Sequence, residues 1–416
     1  MSVFDESMSR RAFGKATVAA AAGVALAAPS LKAALAQDSA TPAAADEGMG
    51  PPPLPEGATV VAEGLFNPRF LAFGDDGTLY ITENGVGGDE VLPGPGGTNE
   101  GEGEATVVAT PMGTPVEAPP QPPSTRGYTG QITAVAPDGT QSVIASGLAS
   151  YSDGAGPVGI ALGAKAVYFS IGGIAVGAGM PPLQEENTVN VLDLASGEVS
   201  VIAELGPYEE ANNPDGTDVN PNLYELAVNP DGALLVTDAG GNAVYSVNSE
   251  TGEFALLAVV PDLTELTGAE PETDAGPRQP VPTGIAVADD GTTYVGLLNE
   301  FWPEGSPAVL TLEEDGTFAP VGGPLSFNVG ITVGPDGMIY ASELFTLVEG
   351  SEEPGPGRVV RMSTDGEIEV VLEGVMMPHG IAFDADGNLY VAINSLISGP
   401  GMPAGQVIRI DGVAAA

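Results

Sequence analysis

One short phrase recurs six times along this chain, and a repeated strand-turn-strand unit constrains the fold more than any other feature. Each copy runs apolar-x-apolar, turns, usually at Asp-Gly, and enters a second strand carrying an aromatic or large apolar residue. The copies are Asn67 to Tyr80, Gly156 to Phe169, Leu223 to Leu235, Val281 to Tyr294, Val329 to Tyr340 and Pro378 to Tyr390. The last three intervals are 59, 46 and 50 residues, which suits four-stranded propeller blades with loop insertions. The first two, 88 and 67, are longer, and a Gly/Pro/Glu-rich stretch over 85–127 explains the first as an inserted disordered loop.

A second hairpin follows the first, turning at Asp138-Gly139, Ser196-Gly197, Thr251-Gly252, Asp315-Gly316 and Asp365-Gly366. Such pairs supply the positive φ of a tight turn. Gly159, Gly284, Gly330 and Gly380 fall where six inner strands crowd an axis. The sixth copy has a third strand, 406–410, but no fourth, whereas 58–64 is a strand with no partner of its own. Placed in the last blade, 58–64 closes the ring and hides both sheet edges. With 59 glycines and 38 prolines, the sequence leaves no long helical period beyond its N-terminus. The expected fold is all-β, a six-bladed β-propeller of four-stranded blades over 58–412, closed by an N-terminal strand in the last blade.

Residues 1–36 read as a twin-arginine signal peptide. Ser9-Arg10-Arg11-Ala12-Phe13-Gly14-Lys15 precedes a weakly apolar run from Ala16 to Ala28, and Ala34-Leu35-Ala36 offers a cleavage site. The apolar run is too short to span a bilayer, so no membrane span is expected in the mature form. Residues 37–57, rich in Ala, Pro, Asp and Glu, read as a flexible linker. The implied location is periplasmic, cell-surface or secreted, with export of a folded monomer.

The formal charge is −45, and only seven Lys and Arg residues follow residue 36. No basic face can neutralise phosphates, which excludes nucleic acid as a partner. Absence of cysteine excludes disulfides, thiolate catalysis and Cys-bound metals.

The segments Tyr128-Thr129-Gly130-Gln131-Ile132-Thr133, Ala211-Asn212-Asn213-Pro214-Asp215-Gly216 with Val236-Thr237-Asp238-Ala239-Gly240-Gly241-Asn242, and Pro282-Thr283-Gly284 with Tyr294-Val295-Gly296 resemble the ScyD/ScyE family, related to NHL-type propellers. The resemblance spans roughly 58–411 and departs at Leu223-Tyr224-Glu225-Leu226, where the family pattern is closer to N-P-Y-x-L. It implies an exported six-bladed propeller with no settled chemical activity.

Polar residues gather where second strands end: Glu83, Asn84, Asp238, Asn242, Asn299, Glu300, Glu343 and Asn394. His379, the single histidine, precedes the inner-strand glycine Gly380 and is expected near the channel mouth. These residues form the candidate binding set, facing a small molecule or protein at the axial face. No catalytic relay can be completed around His379, and no catalytic residue is assigned. Asn212 to Asp218 forms a second oxygen-rich loop, read as an Asx-type turn or an ion loop. The expected function is an exported ligand- or partner-binding propeller without established catalysis. The alternative is a calcium-dependent hydrolase, lactonase or lyase with a carboxylate-lined axial site, since carboxylates and amide oxygens suit a hard cation. Metal ligands and cofactor are left open, with calcium as the candidate.

Overall fold

The computed structural model describes residues 54–92, 107–109, 115–117, 124–268, 279–299, 306–347, 354–363, 366–396 and 404–414. The stretch 1–36 read as a signal peptide, most of the stretch 37–57 read as a linker, much of the 85–127 insertion and Glu300 lie outside them.

Six four-stranded antiparallel sheets form the blades of a β-propeller. Blade 1 consists of Pro68–Phe73, Leu79–Glu83, Thr125–Val135 and Gln141–Tyr151. Blade 2 consists of Pro157–Gly163, Ala166–Ile171, Thr188–Asp193 and Val199–Glu204. Blade 3 consists of Leu223–Val228, Ala233–Asp238, Ala243–Asn248 and Phe254–Val259. Blade 4 consists of Pro282–Val287, Thr293–Leu297, Val309–Leu312 and Phe318–Val321. Blade 5 consists of Asn328–Val333, Ile339–Glu343, Gly357–Met362 and Ile368–Val375. Blade 6 takes Ile381–Phe383, Leu389–Ile393 and Gly405–Ile410, with the N-terminal strand Thr59–Leu65 outermost. Thr59 stands opposite Arg409, Val60 opposite Ile408 and Leu65 opposite Gly405, so the ring closes as the unpaired strand implied. Among the described residues no helix is long and apolar enough to cross a membrane.

The Asp-Gly turns form for a local reason. Gly77, Gly232, Gly291 and Gly337 take φ of 81°, 88°, 87° and 76°. The preceding aspartates accept the backbone N–H two residues on, as Asp76 does from Thr78 at 3.0 Å. The third strand of blade 1 begins at Thr125, inside the stretch expected to be loop. Glu90–Val91 pairs with Arg126 and Thr125, and Arg126 forms an ion pair with Glu90 at 2.5 Å.

Each blade is fastened to the next near the axis. Thr82 Oγ1 donates to Val158 O, Ser170 Oγ to Tyr224 O, Thr283 Oγ1 to Asn328 O at 2.9 Å and Ser342 Oγ to His379 O at 2.5 Å. Between blades 3 and 4 the Glu225 carboxylate accepts from Ile285 N at 2.8 Å. Between blades 6 and 1 the bond is Gly380 N to Arg69 O, 3.0 Å. Inner strands come so close that a methyl group on Gly380 would lie 2.3 Å from Arg69 O, and one on Gly159 2.5 Å from Tyr224 O. Glycine is required there by close approach of backbones.

Candidate functional site

The axis is filled. Tyr224 of blade 3 and His379 of blade 6 stand on opposite sides of the six-blade ring, and the hydrogen bond between Tyr224 Oη and His379 Nε2, 2.8 Å long, crosses it. Phe70 of blade 1 stands edge-on to both rings, 5.0 Å from His379 and 5.9 Å from Tyr224. His379 is fully buried rather than at a channel mouth, and its Nδ1 has no partner. Burial, reinforced by the Arg69 charge, holds the imidazole pKa well below its ordinary value, so it is neutral at pH 7.

Arg69 sits beside this pair, 1% exposed. Its Nε donates to Asn84 Oδ1 and its Nη2 to Gly154 O at 2.6 Å; among the described residues no carboxylate pairs with it. Burial lowers its pKa to about 10, which leaves it charged at pH 7. Asn84 is thereby oriented, and its Nδ2 donates to Pro157 O at 3.0 Å. A fixed cation, a neutral imidazole and a phenol thus share one enclosed space.

The carboxylates that end second strands are occupied in blades 1 and 5. Glu83 accepts from Phe66 N at 2.7 Å, Gln131 Nε2 at 2.9 Å and Thr133 Oγ1 at 2.5 Å. Glu343 accepts from Ser326 N at 2.6 Å and pairs with Arg358. Each carboxylate ties the chain segment that leads into its own blade to the blade's second strand. The asparagines serve similar seams. Asn242, Asn299 and Asn394 adopt φ of 49°, 60° and 56°, the left-handed region that asparagine tolerates better than most residues. Asn299 donates to Pro307 O at 2.7 Å and Asn394 to Ala404 O at 3.0 Å, while Asn242 accepts from Val281 N at 3.1 Å.

Blade 3 differs. Asp238 Oδ1 accepts from Asn222 N at 2.8 Å, Gly241 N at 2.9 Å and Gly240 N at 3.2 Å, but its buried Oδ2 has no partner. Beside it lies Glu209, from the short helix Gly206–Asn212 that links blades 2 and 3. Packing of Tyr208 against Tyr245 and Phe254, with ring centres 5.9 and 5.5 Å apart, fixes this helix. It leaves Glu209 fully buried with both carboxylate oxygens unpartnered. Burial first, then the charges of Asp238 and Asp215, raise the Glu209 pKa to about 8; burial raises that of Asp238 to about 6. Asp215 Oδ2 accepts from Asn242 Nδ2 at 2.7 Å, which joins the oxygen-rich loop to the same corner. Asp215 also accepts from Thr217 N at 2.9 Å, the Asx turn expected there.

The candidate set therefore divides. Asn84 and His379 meet around Arg69; Asp238 and Asn242 meet around Glu209 and Asp215; Glu83, Glu343, Asn299 and Asn394 stay at separate blade seams, and Glu300 lies outside the described residues. A carboxylate-lined axis is not found among the described residues, because Glu83 and Glu343 spend their oxygens inside their own blades. Nor are three or more histidine and acidic side chains there grouped ready to hold a metal. The sequence reading passed over Arg69, Tyr224 and Glu209. Arg69 carried a signal, as one of seven basic residues after residue 36 and part of the first repeat copy.

No family model and no curated protein matches the chain. Among solved structures it is similar to a virginiamycin B lyase from Staphylococcus aureus, at 15% identity over 80% of each chain with a TM-score of 0.43. A gluconolactonase from Xanthomonas campestris matches at 14% identity over 85% of this chain and 88% of that one, TM-score 0.47. A calcium-binding regucalcin from Agrobacterium tumefaciens matches at 14% over 86% and 93%, TM-score 0.47. At these identities the likeness shows the fold alone, six-bladed propellers as a class. The expectation of a binding propeller without catalysis is corrected to this extent: the neighbours are enzymes and a calcium-binding protein, and likeness of fold carries none of their activities to this chain.

Proposed function

We propose that the chain is a hydrolase or lyase whose chemistry takes place at the axial cluster of Arg69, Tyr224 and His379. The observation that supports it most is Arg69, a buried guanidinium with no carboxylate partner among the described residues, because an unpaired charge in a water-poor interior is costly unless something compensates it. A substrate carboxylate or a developing oxyanion would do so. His379, neutral and with Nδ1 free, would act as the base in the tautomer whose Nε2–H donates to Tyr224 Oη, which leaves the Nδ1 lone pair to take a proton. In lactone or ester hydrolysis the imidazole would take the proton of the attacking water as the oxyanion forms beside Arg69. It would then return that proton to the leaving oxygen. Phe70 and Tyr224 enclose the imidazole, so substrate has to displace these rings to reach it. An axial metal does not fit the donors present, and no step is routed through one.

The test is turnover of a panel of lactones, carboxylic esters and cyclic depsipeptides by the folded protein. His379→Gln is expected to lower the rate at least a hundredfold with an unchanged circular dichroism spectrum, and Arg69→Lys less. A panel that the wild type leaves intact, or His379→Gln turning over normally, would defeat this reading.

Membership of the ScyD/ScyE family and export by the twin-arginine route belong to the same proposal, supported by the segments around Asn212 and Asp238 and by Ser9 to Lys15. Arg10→Lys with Arg11→Lys is expected to leave uncleaved precursor in the cytoplasm; normal processing would count against export by this route.

A further inference from the structure

We propose that Glu209 and Asp238, with Asp215 behind them, form a binding site for one hard divalent cation, calcium by coordination preference, where the chain enters blade 3. This site is separate from the axial cluster and does not depend on the reaction assigned to it.

The observation that points to a ligand is the state of the oxygens. Glu209 is fully buried and neither of its carboxylate oxygens has a partner, and the same holds for Asp238 Oδ2. The two groups converge: a methyl group on Gly241 would lie 3.0 Å from Asp238 Oδ2 and 3.2 Å from the Glu209 carboxyl carbon. Only a residue without a side chain leaves that space open. Asp215, joined to the same corner through Asn242 Nδ2, acts on both groups electrostatically, and among the described residues no Lys or Arg does. Two buried carboxyl groups at one corner, with three oxygens unpartnered and no cationic partner among the described residues, leave room for a ligand from outside the chain.

The donor chemistry selects the ion. All the donors are oxygens, the chain has no cysteine, and its one histidine is committed to the axis. Such a set excludes soft and borderline metals and suits calcium, which accepts irregular mixtures of carboxylate, amide and carbonyl oxygens. Buried amide oxygen is at hand on the same linker, where Asn213 Oδ1 is also unpartnered. The contrast with Glu83 and Glu343, which hold equivalent places and have their oxygens filled by the chain, shows that the fold satisfies such groups where it needs only a seam.

The site also has a built-in reporter. Tyr245, a fully buried residue of blade 3, packs against Tyr208, the neighbour of Glu209 in sequence, at 5.9 Å between ring centres, and its hydroxyl has no partner. Terbium, which substitutes for calcium at oxygen sites, should therefore luminesce on tyrosine excitation.

The experiment titrates the chelator-treated folded protein with calcium by calorimetry in 0.15 M salt, where diffuse attraction to the acidic surface is screened. Expected is a single tight site with a dissociation constant on the order of 1 μM. Glu209→Gln and Asp238→Asn should each weaken it at least tenfold. Asp238→Asn keeps the Oδ1 that accepts three backbone N–H groups, so the fold survives. Tyr245→Phe should cut sensitised terbium emission severalfold and leave calcium affinity within twofold. No saturable binding up to millimolar calcium, or affinity unchanged in Glu209→Gln, would overturn the proposal; the second result would mark the binding as diffuse surface attraction.

Discussion

Blades 1 and 3 each end their second strand in a buried carboxylate, and the two are satisfied in opposite ways. Glu83 spends both oxygens on its own blade, accepting from a backbone amide, a hydroxyl and a side-chain amide. Asp238 spends one oxygen on three backbone amides and leaves the other facing Glu209, which has no partner at all. One fold thus uses the same position as a fastener in one blade and, in another, as part of a carboxyl pair whose free oxygens no described residue satisfies. Burial raises the pKa of both residues, so the shift alone does not distinguish the roles; hydrogen-bond accounting does.

The largest expected effect tests the fastener side of the comparison. Glu83→Ala would leave Phe66 N, Gln131 Nε2 and Thr133 Oγ1 without their acceptor, at a cost of about 3 kcal/mol in urea denaturation, with or without calcium. A loss under about 1 kcal/mol would remove the distinction between the blades. Next comes calcium removal. At a hundredfold excess over its dissociation constant the ion contributes about 2.7 kcal/mol, and a chelator should lower the melting temperature accordingly. Glu209→Gln, by contrast, should be within about 1 kcal/mol of the wild type in chelator, because an amide of the same shape replaces a buried carboxyl group that has no partner to lose. Destabilisation of that variant under chelation would mean that the carboxylate has a partner after all.

The smallest effect extends the comparison to the axis. His379 has a folded-state pKa below its unfolded value of about 6.5, so below that pH the unfolded chain binds more protons. Its contribution to stability is present above about pH 6.5 and is lost as pH falls, at about 1.4 kcal/mol per unit until the folded pKa is reached. His379→Gln should flatten that part of the profile relative to wild type. Parallel profiles between about pH 6.5 and 5.5 would show that the imidazole is not held neutral.

Much of the architecture was legible because the repeat states it directly. Tight turns demand glycine, inner strands demand small residues, and a sixth copy one strand short demands the strand 58–64. The sites were less legible. Polar residues at strand ends read as converging on one axial cluster, but successive blades point their second-strand ends at their own seams, and only the structure shows which oxygens remain free. Asn242, Asn299 and Asn394 were picked out as candidate ligands, and their left-handed backbone supplies a conformational reason for asparagine at each. Glu209 and Tyr224 became visible only through distant partners: Glu209 meets Asp238 across the first hairpin of blade 3, and Tyr224 meets His379 across the ring.

The comparison between blades can be settled at one stroke by anomalous diffraction from crystals of the folded protein soaked in terbium. The account expects a single strong peak between Glu209 and Asp238 and none beside Glu83 or Glu343. A peak at either fastener, or an empty corner in blade 3 at full occupancy of surface sites, would contradict it.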